Sequence, residues 1–320
     1  MKVLFVSNSY SPAVQLQVEG LRSLGIDVSM LLSDRASLGR LAYVWLCRHL
    51  KKRLREIQPD IVHVQFGGVQ AAIVASAIPN RCVITFHGTD LHGGTRTPSF
   101  VSALSQRFGV WCSSYASRRV VQNILVSETL REYLPKSVSH ACVIPTGVDF
   151  NCFKPIDRNE CLTALKLDPE VRWVLFCDYS HDPVKRRDLA DNVLAKVQAA
   201  GHRGRFLELS GVEHEMVPIY LNAAHALLVT SDKEGSPNIV KEALACNIPV
   251  VSVDVGDVST RISGIDGCHL CSRESGEIAA ALCRVLESPG RVYARDQVSS
   301  EIDNITVCKR IVSVYESIGQ

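Results

Sequence analysis

Short apolar and β-branched runs alternate with longer stretches of helical period along the chain. Runs of strand length stand at Lys2–Ser7, Asp27–Leu32, Asp60–Val64 and Cys82–Phe86, with weaker ones at Arg119–Asn123 and Ala141–Ile144. Apolar positions recur at helical spacing over Val14–Leu24, Gly39–Ile57, Val69–Ala77 and Phe100–Ser117, and Ser127 reads as the cap of a further short helix. The segment Ile144–Pro155, IPTGVDFNCFKP, has prolines, a glycine and an aspartate without periodicity, and reads as a linker. Alternation then restarts. Strands are expected at Trp173–Cys177, Arg205–Leu209, Ala226–Thr230, Pro249–Val253 and His269–Leu270. Helices are expected over Asn159–Leu167, Leu189–Ala200, Val217–Ala224, Pro237–Cys246 and Glu274–Glu287, with a closing amphipathic helix over Ile302–Ile318. This alternation predicts parallel sheets covered on both faces. It divides the chain into two α/β domains, 1–155 and 156–301, with the 302–320 helix packing back near the first.

The 320 residues, 46% of them hydrophobic, suffice for two cores. A net charge of +2 gives no reason to expect a nucleic-acid partner. No run of eighteen apolar residues occurs, and MKVLFVSNSYSP lacks the long apolar core and small-residue cleavage site of a signal peptide, so a cytoplasmic location is expected. The 12 cysteines are scattered, largely one per apolar segment (Cys47, Cys82, Cys177, Cys283), as buried free thiols in a reducing compartment would be. Cys268 and Cys271 have metal or redox spacing, but no second ligand pair accompanies them, and they are expected to be core thiols. The stretch 39–57 carries Lys51, Lys52, Arg53 and Arg55 opposite Leu46, Leu50, Leu54 and Ile57. It reads as an ordinary surface helix or as a peripheral contact with anionic lipid on the inner face of the cell membrane.

The chemistry concentrates in SDKEGSPNIVKE, Ser231–Glu242. The apolar run 226–230 ends there, Ser236 fits an N-cap and Pro237 the first helical position. Glu234 is thus expected in a loop at the C-terminal edge of a strand, where ligands of open α/β sheets gather. The backbone N–H groups of Gly235, Ser236, Asn238 and Ile239 would form a helix mouth suited to phosphate. Carboxylates beside a phosphate need another partner, and sugar hydroxyls donate to acceptor-only carboxylates. On spacing alone, Glu234 offsetting Lys233 and Glu242 pairing with a neighbour is an equally good account.

EGSPNIVKEALACNIPVVSVDVGDV (234–258) resembles the most specific motif of the retaining glycosyltransferases of family 4, with two glutamates, a Pro-Val-Val strand and a glycine turn. VIPTGVDFNCFKP (143–155) is similar to that family's interdomain linker, and PDIVHVQFG (59–67) and FHGTD (86–90) to its N-terminal half. The resemblance implies a GT-B fold, two facing Rossmann-like domains with an interdomain cleft. Carried over by position, it implies that Glu242 holds the nucleotide ribose and Glu234 the donor-sugar hydroxyls. Gly235, Ser236, Pro237, Asn238 and Ile239 would line the sugar and diphosphate. His87 would face the transferred sugar, the other reading being a satisfied core imidazole. Lys185 matches the family's diphosphate-binding lysine. Asp178 and Tyr179 replace its usual Gly-Arg, and Arg186 is expected to restore the charge; otherwise both cations are the solvated start of a helix. The family's Gly-Gly after the first strand is absent from NSYSPAVQLQVEG (8–20).

The implied reaction moves a sugar from a nucleoside diphosphate donor to a carbohydrate or lipid-linked hydroxyl acceptor with retention, in glycan, polysaccharide or glycolipid biosynthesis. No cofactor and no metal are expected, because the basic pair can neutralise the departing diphosphate. A non-hydrolysing nucleotide-sugar epimerase and a non-catalytic nucleotide-sugar binder remain the alternatives.

Overall fold

The computed structural model describes residues 1–33, 39, 41–94, 100–178, 182–287 and 290–319, the side chains of 100–102 excepted. Two compact units emerge, Met1–Gly147 with Asn304–Gln320, and Val148–Asp303.

In the first unit, β1 (Lys2–Ser7), β2 (Asp27–Leu32), β3 (Ile61–Gln65), β4 (Cys82–Phe86), β5 (Gln122–Leu125) and β6 (Ala141–Val143) form a parallel sheet of order β2-β1-β3-β4-β5-β6. Its helices are α1 (Pro12–Ser23), α2 (Leu41–Ile57), α3 (Gly68–Ala77), α4 (Thr89–His92) and α5 (Phe100–Ser117). Successive strand residues point to opposite faces and so feed two cores. Leu4, Val6, Val62, Val64 and Ile84 pack with Leu46, Leu50, Val74 and Ala116. Val3, Phe5, Ile61 and Val83 pack with Val14, Val18, Val307, Ile311 and Tyr315.

In the second unit, β7 (Arg172–Cys177), β8 (Gly204–Leu209), β9 (Ala226–Val229), β10 (Val250–Val253) and β11 (His269–Cys271) form a parallel sheet of order β11-β10-β9-β7-β8. The helices are α6 (Arg158–Ala164), α7 (Arg187–Ala199), α8 (Val217–Ala223), α9 (Asn238–Ala245), α10 (Val258–Ile262), α11 (Ser275–Glu287) and α12 (Arg295–Ile302). The chain then returns to the first unit as α13 (Asn304–Gly319). In both sheets the first strand has the second on one side and the third on the other. The topological switch points therefore lie between β1 and β3 and between β7 and β9.

Several elements differ from expectation. The strand expected at Arg119–Asn123 runs instead over Gln122–Leu125, because Arg119 and Val120 still donate to Ala116 O and close the preceding helix. The closing helix expected over Ile302–Ile318 is α13, which starts two residues later at Asn304, and α12 before it, ending at Ile302, was not expected. Asp303 takes an extended conformation (φ −58°, ψ 134°) and pairs with Val148, whose N–H donates to Ile302 O. Asn304 then anchors the new helix, its Nδ2 donating to Leu16 O at 2.9 Å. The helix at the glutamate motif begins at Asn238 with Pro237 as cap, one residue later than expected, because the Ser236 hydroxyl donates to Asp257 rather than capping.

All twelve cysteines are free thiols. Cys268 Sγ accepts from Val250 N–H at 3.4 Å, and Cys271 is buried. No helix among the described residues is long and apolar enough to cross a membrane.

Candidate functional site

The second unit's switch point is built from the loops after β7 and β9. After β7, Asp178 is buried and accepts from Asp182 N–H, and the Asp182 carboxylate caps Val184 N–H at 3.0 Å. Tyr179 lies outside the described residues. A single 3-10 turn, Pro183–Lys185, follows, and Arg186 enters α7 in the left-handed region at φ +53°. Two bonds fasten this loop to the one after β9: Thr230 Oγ1 donates to Lys185 O at 2.7 Å, and Asp232 N to Val184 O at 2.8 Å. The fastening brings two of the expected site residues into contact. Lys185 Nζ donates to Glu234 Oε1 at 2.6 Å, with side chains 24% and 19% exposed. Burial alone would lower the Lys185 pKa, but the charge and hydrogen bond of Glu234 outweigh it and hold the ammonium above the ordinary lysine value.

Arg186 does not join that pair. Its guanidinium donates twice to Asp188 at 2.9 Å and once to Asp232 at 3.1 Å, which together raise its pKa. Arg273 reaches the same Asp232 at 3.3 Å and Ser231 O at 3.0 Å. Arg186, at the start of α7, is thus already paired with two carboxylates.

The floor under Gly235 and Ser236 contains groups that sequence reasoning missed. Ser236 Oγ donates to Asp257 Oδ2 at 2.9 Å, and Lys241 Nζ donates to Ser236 Oγ at 3.1 Å. Arg261 Nε donates to the same Asp257 oxygen at 2.8 Å and its other arm reaches Glu301 at 2.6 Å. Lys241 is fully buried, and desolvation lowers its pKa to about 8 despite Asp257. Gly256 sits at φ +59°, and a Cβ there would lie 2.7 Å from Gly235 O. A legible signal for Lys241 did exist. Ile239, Val240, Ala243, Leu244 and Ala245 leave α9 only a narrow polar stripe, and a helix apolar on most sides is buried.

Glu242, one turn into α9, is mostly buried. His214 Nε2 approaches its Oε1 at 3.5 Å, and the His214 ring lies edge-on to Phe153 at 5.5 Å. Hydrogen bonding and charge from Glu242 raise the His214 pKa above the ordinary imidazole value, against the opposing effect of burial. Ile239 is buried in the core, so only its backbone could serve a ligand; Pro237 caps α9 and Asn238 opens it.

His87 belongs to the first unit, just past β4. It is only partly buried: Nε2 meets Gln65 Oε1 at 3.0 Å, its backbone N–H donates to Asp90, and its ring lies 4.2 Å from Phe66. The sealed imidazole of this unit is His63, which bonds Tyr315 Oη at 2.5 Å and Thr85 Oγ1 at 2.7 Å. Burial, with His87 adding to it, lowers the His63 pKa to about 3. At this unit's own switch point lies a cavity of about 830 Å³, lined among others by Asn8, Phe66, Gly67, Asp90, Leu104 and Phe108.

Two family models match the chain: Glycosyltransferase Family 4 over residues 3–151 and Glycosyl transferases group 1 over residues 162–288. This is a glycosyltransferase family 4-like chain of GT-B fold. Among curated relatives, the family 4-like chain is 27% identical over 252 residues to a Bacillus subtilis protein provisionally named as the teichuronic acid biosynthesis glycosyltransferase TuaC. That match covers 72% of this chain and 62% of TuaC. It is 25% identical over 210 residues to a D-inositol 3-phosphate glycosyltransferase of Actinosynnema mirum, covering 55% of this chain and 50% of that one. The chain thus spans about half to under two thirds of the length of these relatives. Among solved structures, sucrose-phosphate synthase of Thermosynechococcus elongatus superposes with a TM-score of 0.79 at 15% identity over 99% of both chains. Anabaena Alr3699/HepE, solved in complex with UDP, superposes with a TM-score of 0.71 at 18% identity over 99% of this chain and 100% of that one. These two likenesses establish the fold.

Proposed function

We propose that this family 4-like chain is a retaining glycosyltransferase that moves a sugar from a nucleoside diphosphate donor to a hydroxyl acceptor. The observation that carries the reading is the Lys185–Glu234 pair at the switch point between β7 and β9. It places a stably charged ammonium and a hydroxyl-accepting carboxylate in contact, at the sheet edge where ligands of this architecture bind. HepE structures with UDP and with UDP-glucose support a donor of this chemistry, since that protein shares the fold. The names of the curated relatives support a hydroxyl acceptor in glycan, polysaccharide or glycolipid assembly. A cytoplasmic setting completes the reading.

In this mechanism Glu242 accepts from the ribose hydroxyls and Glu234 from those of the donor sugar. Lys185 keeps one N–H on Glu234 and turns the remaining donors to the diphosphate. Arg186 contributes after exchanging a carboxylate for phosphate, with the mouth of α9 beside it. As the bond from the anomeric carbon to the diphosphate breaks, these groups meet the charge that develops on the leaving oxygen. The acceptor oxygen attacks from the same face and its proton passes to the departing phosphate, so no protein base is assigned. The reading also assigns no metal.

Thermal-shift screening of nucleoside diphosphate sugars identifies the donor, because a ligand at 100 times its Kd adds about 2.7 kcal/mol of stability. With that donor, Lys185→Ala and Glu234→Ala are each expected to lower turnover by about 100-fold, the cost of losing one preorganised charge-stabilising group. Glu242→Ala is expected to weaken donor binding, and His87→Ala to slow turnover without unfolding. Unchanged turnover and donor affinity in the three second-unit variants would overturn the assignment. Conversion of donor without acceptor would identify an epimerase, and donor binding without turnover a binding protein.

A further inference from the structure

The helix α5 has two dissimilar faces. Its inner face is small and sealed. Cys112, Ser113 and Ala116 are buried, Ser113 Oγ accepts from Gly68 N–H and donates to Asp90 O, and a Cβ on Gly67 would meet Ser113 Oγ at 2.4 Å. The outer face carries Leu104, Phe108, Trp111 and Tyr115, spaced four, three and four residues apart and hence on one stripe. Leu104, Phe108 and Trp111 are 60%, 53% and 61% exposed. The aromatic rings are aligned: Phe108 stacks on Trp111 and Trp111 on Tyr115, each at 5.9 Å, and the Arg119 guanidinium lies 5.2 Å from the Tyr115 ring. Isolated exposed apolar residues are ordinary, but an aligned ridge of this kind marks an interaction surface.

Charge decides what kind of partner it fits. Between Asp90 and Glu128 the sequence holds arginines and no acidic residue. The other helices on this face of the sheet continue the bias: α3 carries no charge, and α2 carries Arg48, Lys51, Lys52, Arg53 and Arg55 against Glu56 alone. A second copy of the chain docked by a two-fold axis would set these bases against their own equivalents. An anionic bilayer instead neutralises the bases and takes Trp and Tyr rings at the headgroup level.

We propose that the outer face of α5 docks on an anionic lipid bilayer. Leu104 and Phe108 also line the 830 Å³ cavity at the first unit's switch point, so the docked face carries a wall of that cavity. On the transferase reading, the acceptor is then an amphiphile presented from the membrane. Only this last point rests on that reading, and docking is measured without any turnover.

The full chain is co-sedimented with vesicles of equal parts phosphatidylglycerol and phosphatidylcholine, and with phosphatidylcholine alone. Binding to the first only is expected. The double variant Phe108→Ser with Trp111→Ser, with circular dichroism and melting unchanged, is expected to bind about tenfold more weakly, since interfacial affinity follows buried apolar area. Absence of wild-type binding overturns the proposal. So does undiminished binding of the double variant, or binding lost in a Lys51→Gln, Lys52→Gln variant but kept in the aromatic one, which would move the contact to α2. Concentration-dependent self-association abolished by the aromatic substitutions, without vesicle binding, would identify a second copy as the occupant and also overturn it.

Discussion

Replacing Lys241 with methionine tests the architecture under the glutamate motif. The ammonium is fully buried and its pKa falls to about 8. Set against the ordinary lysine value of about 10.4, this is a cost of roughly 3 kcal/mol for keeping the charge in the folded protein. The sign follows from proton uptake. With the folded value depressed, the unfolded chain binds more protons between about pH 8 and 10.4, so wild-type stability rises over that window from this group, and the penalty is fully present below it. Methionine removes the penalty and loses the charged hydrogen bond to Ser236, about 1.5–3 kcal/mol. Ser236 keeps Asp257, and Asp257 keeps Arg261. Lys241→Met is therefore expected to stay within about 1 kcal/mol of wild type at pH 7, as isosteric replacement of buried charge commonly does. Leu244→Ala in the same helix should lose about 2–5 kcal/mol. Urea unfolding in a Trp45→Phe, Trp111→Phe background leaves Trp173 as the only tryptophan, reporting on the second unit. Wild type minus Lys241→Met should then climb by about 3 kcal/mol from pH 7 to 10.4. A flat difference, or a loss well above 2 kcal/mol at pH 7, would refute the account of a buried, ionised lysine.

Two further outcomes follow from neighbouring geometry. His214 has a raised pKa through Glu242, so its contribution to stability is complete below the unfolded imidazole value and is lost as pH rises through the folded one. Glu242→Gln should lower the His214 pKa by NMR titration and remove that pH dependence; an unmoved titration would show that the pair is not formed. Gly256→Ala forces a side chain into φ +59° against Gly235 O and should cost about 1–3 kcal/mol, read as a lower unfolding midpoint. An unchanged midpoint would mean that the loop is free to shift.

Much of the architecture was legible because periodicity reports burial directly. Strands such as β1 and β4 are continuous apolar runs since helices cover both faces, and α9 announced itself through Ile239, Val240, Ala243 and Leu244. Where neighbouring apolar residues allowed two registers, as Val120 and Val121 did beside β5, local pattern could not choose. The start of the closing helix was read two residues early, at Ile302, because a pairing of Asp303 with Val148, distant in sequence, sets that boundary. The same limit governed the site. The family resemblance located Glu234 and Lys185 in separate segments, but their contact spans 49 positions and depends on how the loops are fastened through Thr230 and Asp232. The counting of positive charge could not foresee that Asp188 and Asp232 occupy Arg186.

The return of the chain at Asn304 bears on biosynthesis. The second unit is one continuous segment, whereas the first awaits α13, whose Val307, Ile311 and Tyr315 cover Phe5, Val14 and Val18. The earlier-made lobe therefore keeps an open apolar flank throughout the synthesis of residues 148–303, and that uncovered flank is where a nascent-chain chaperone would act.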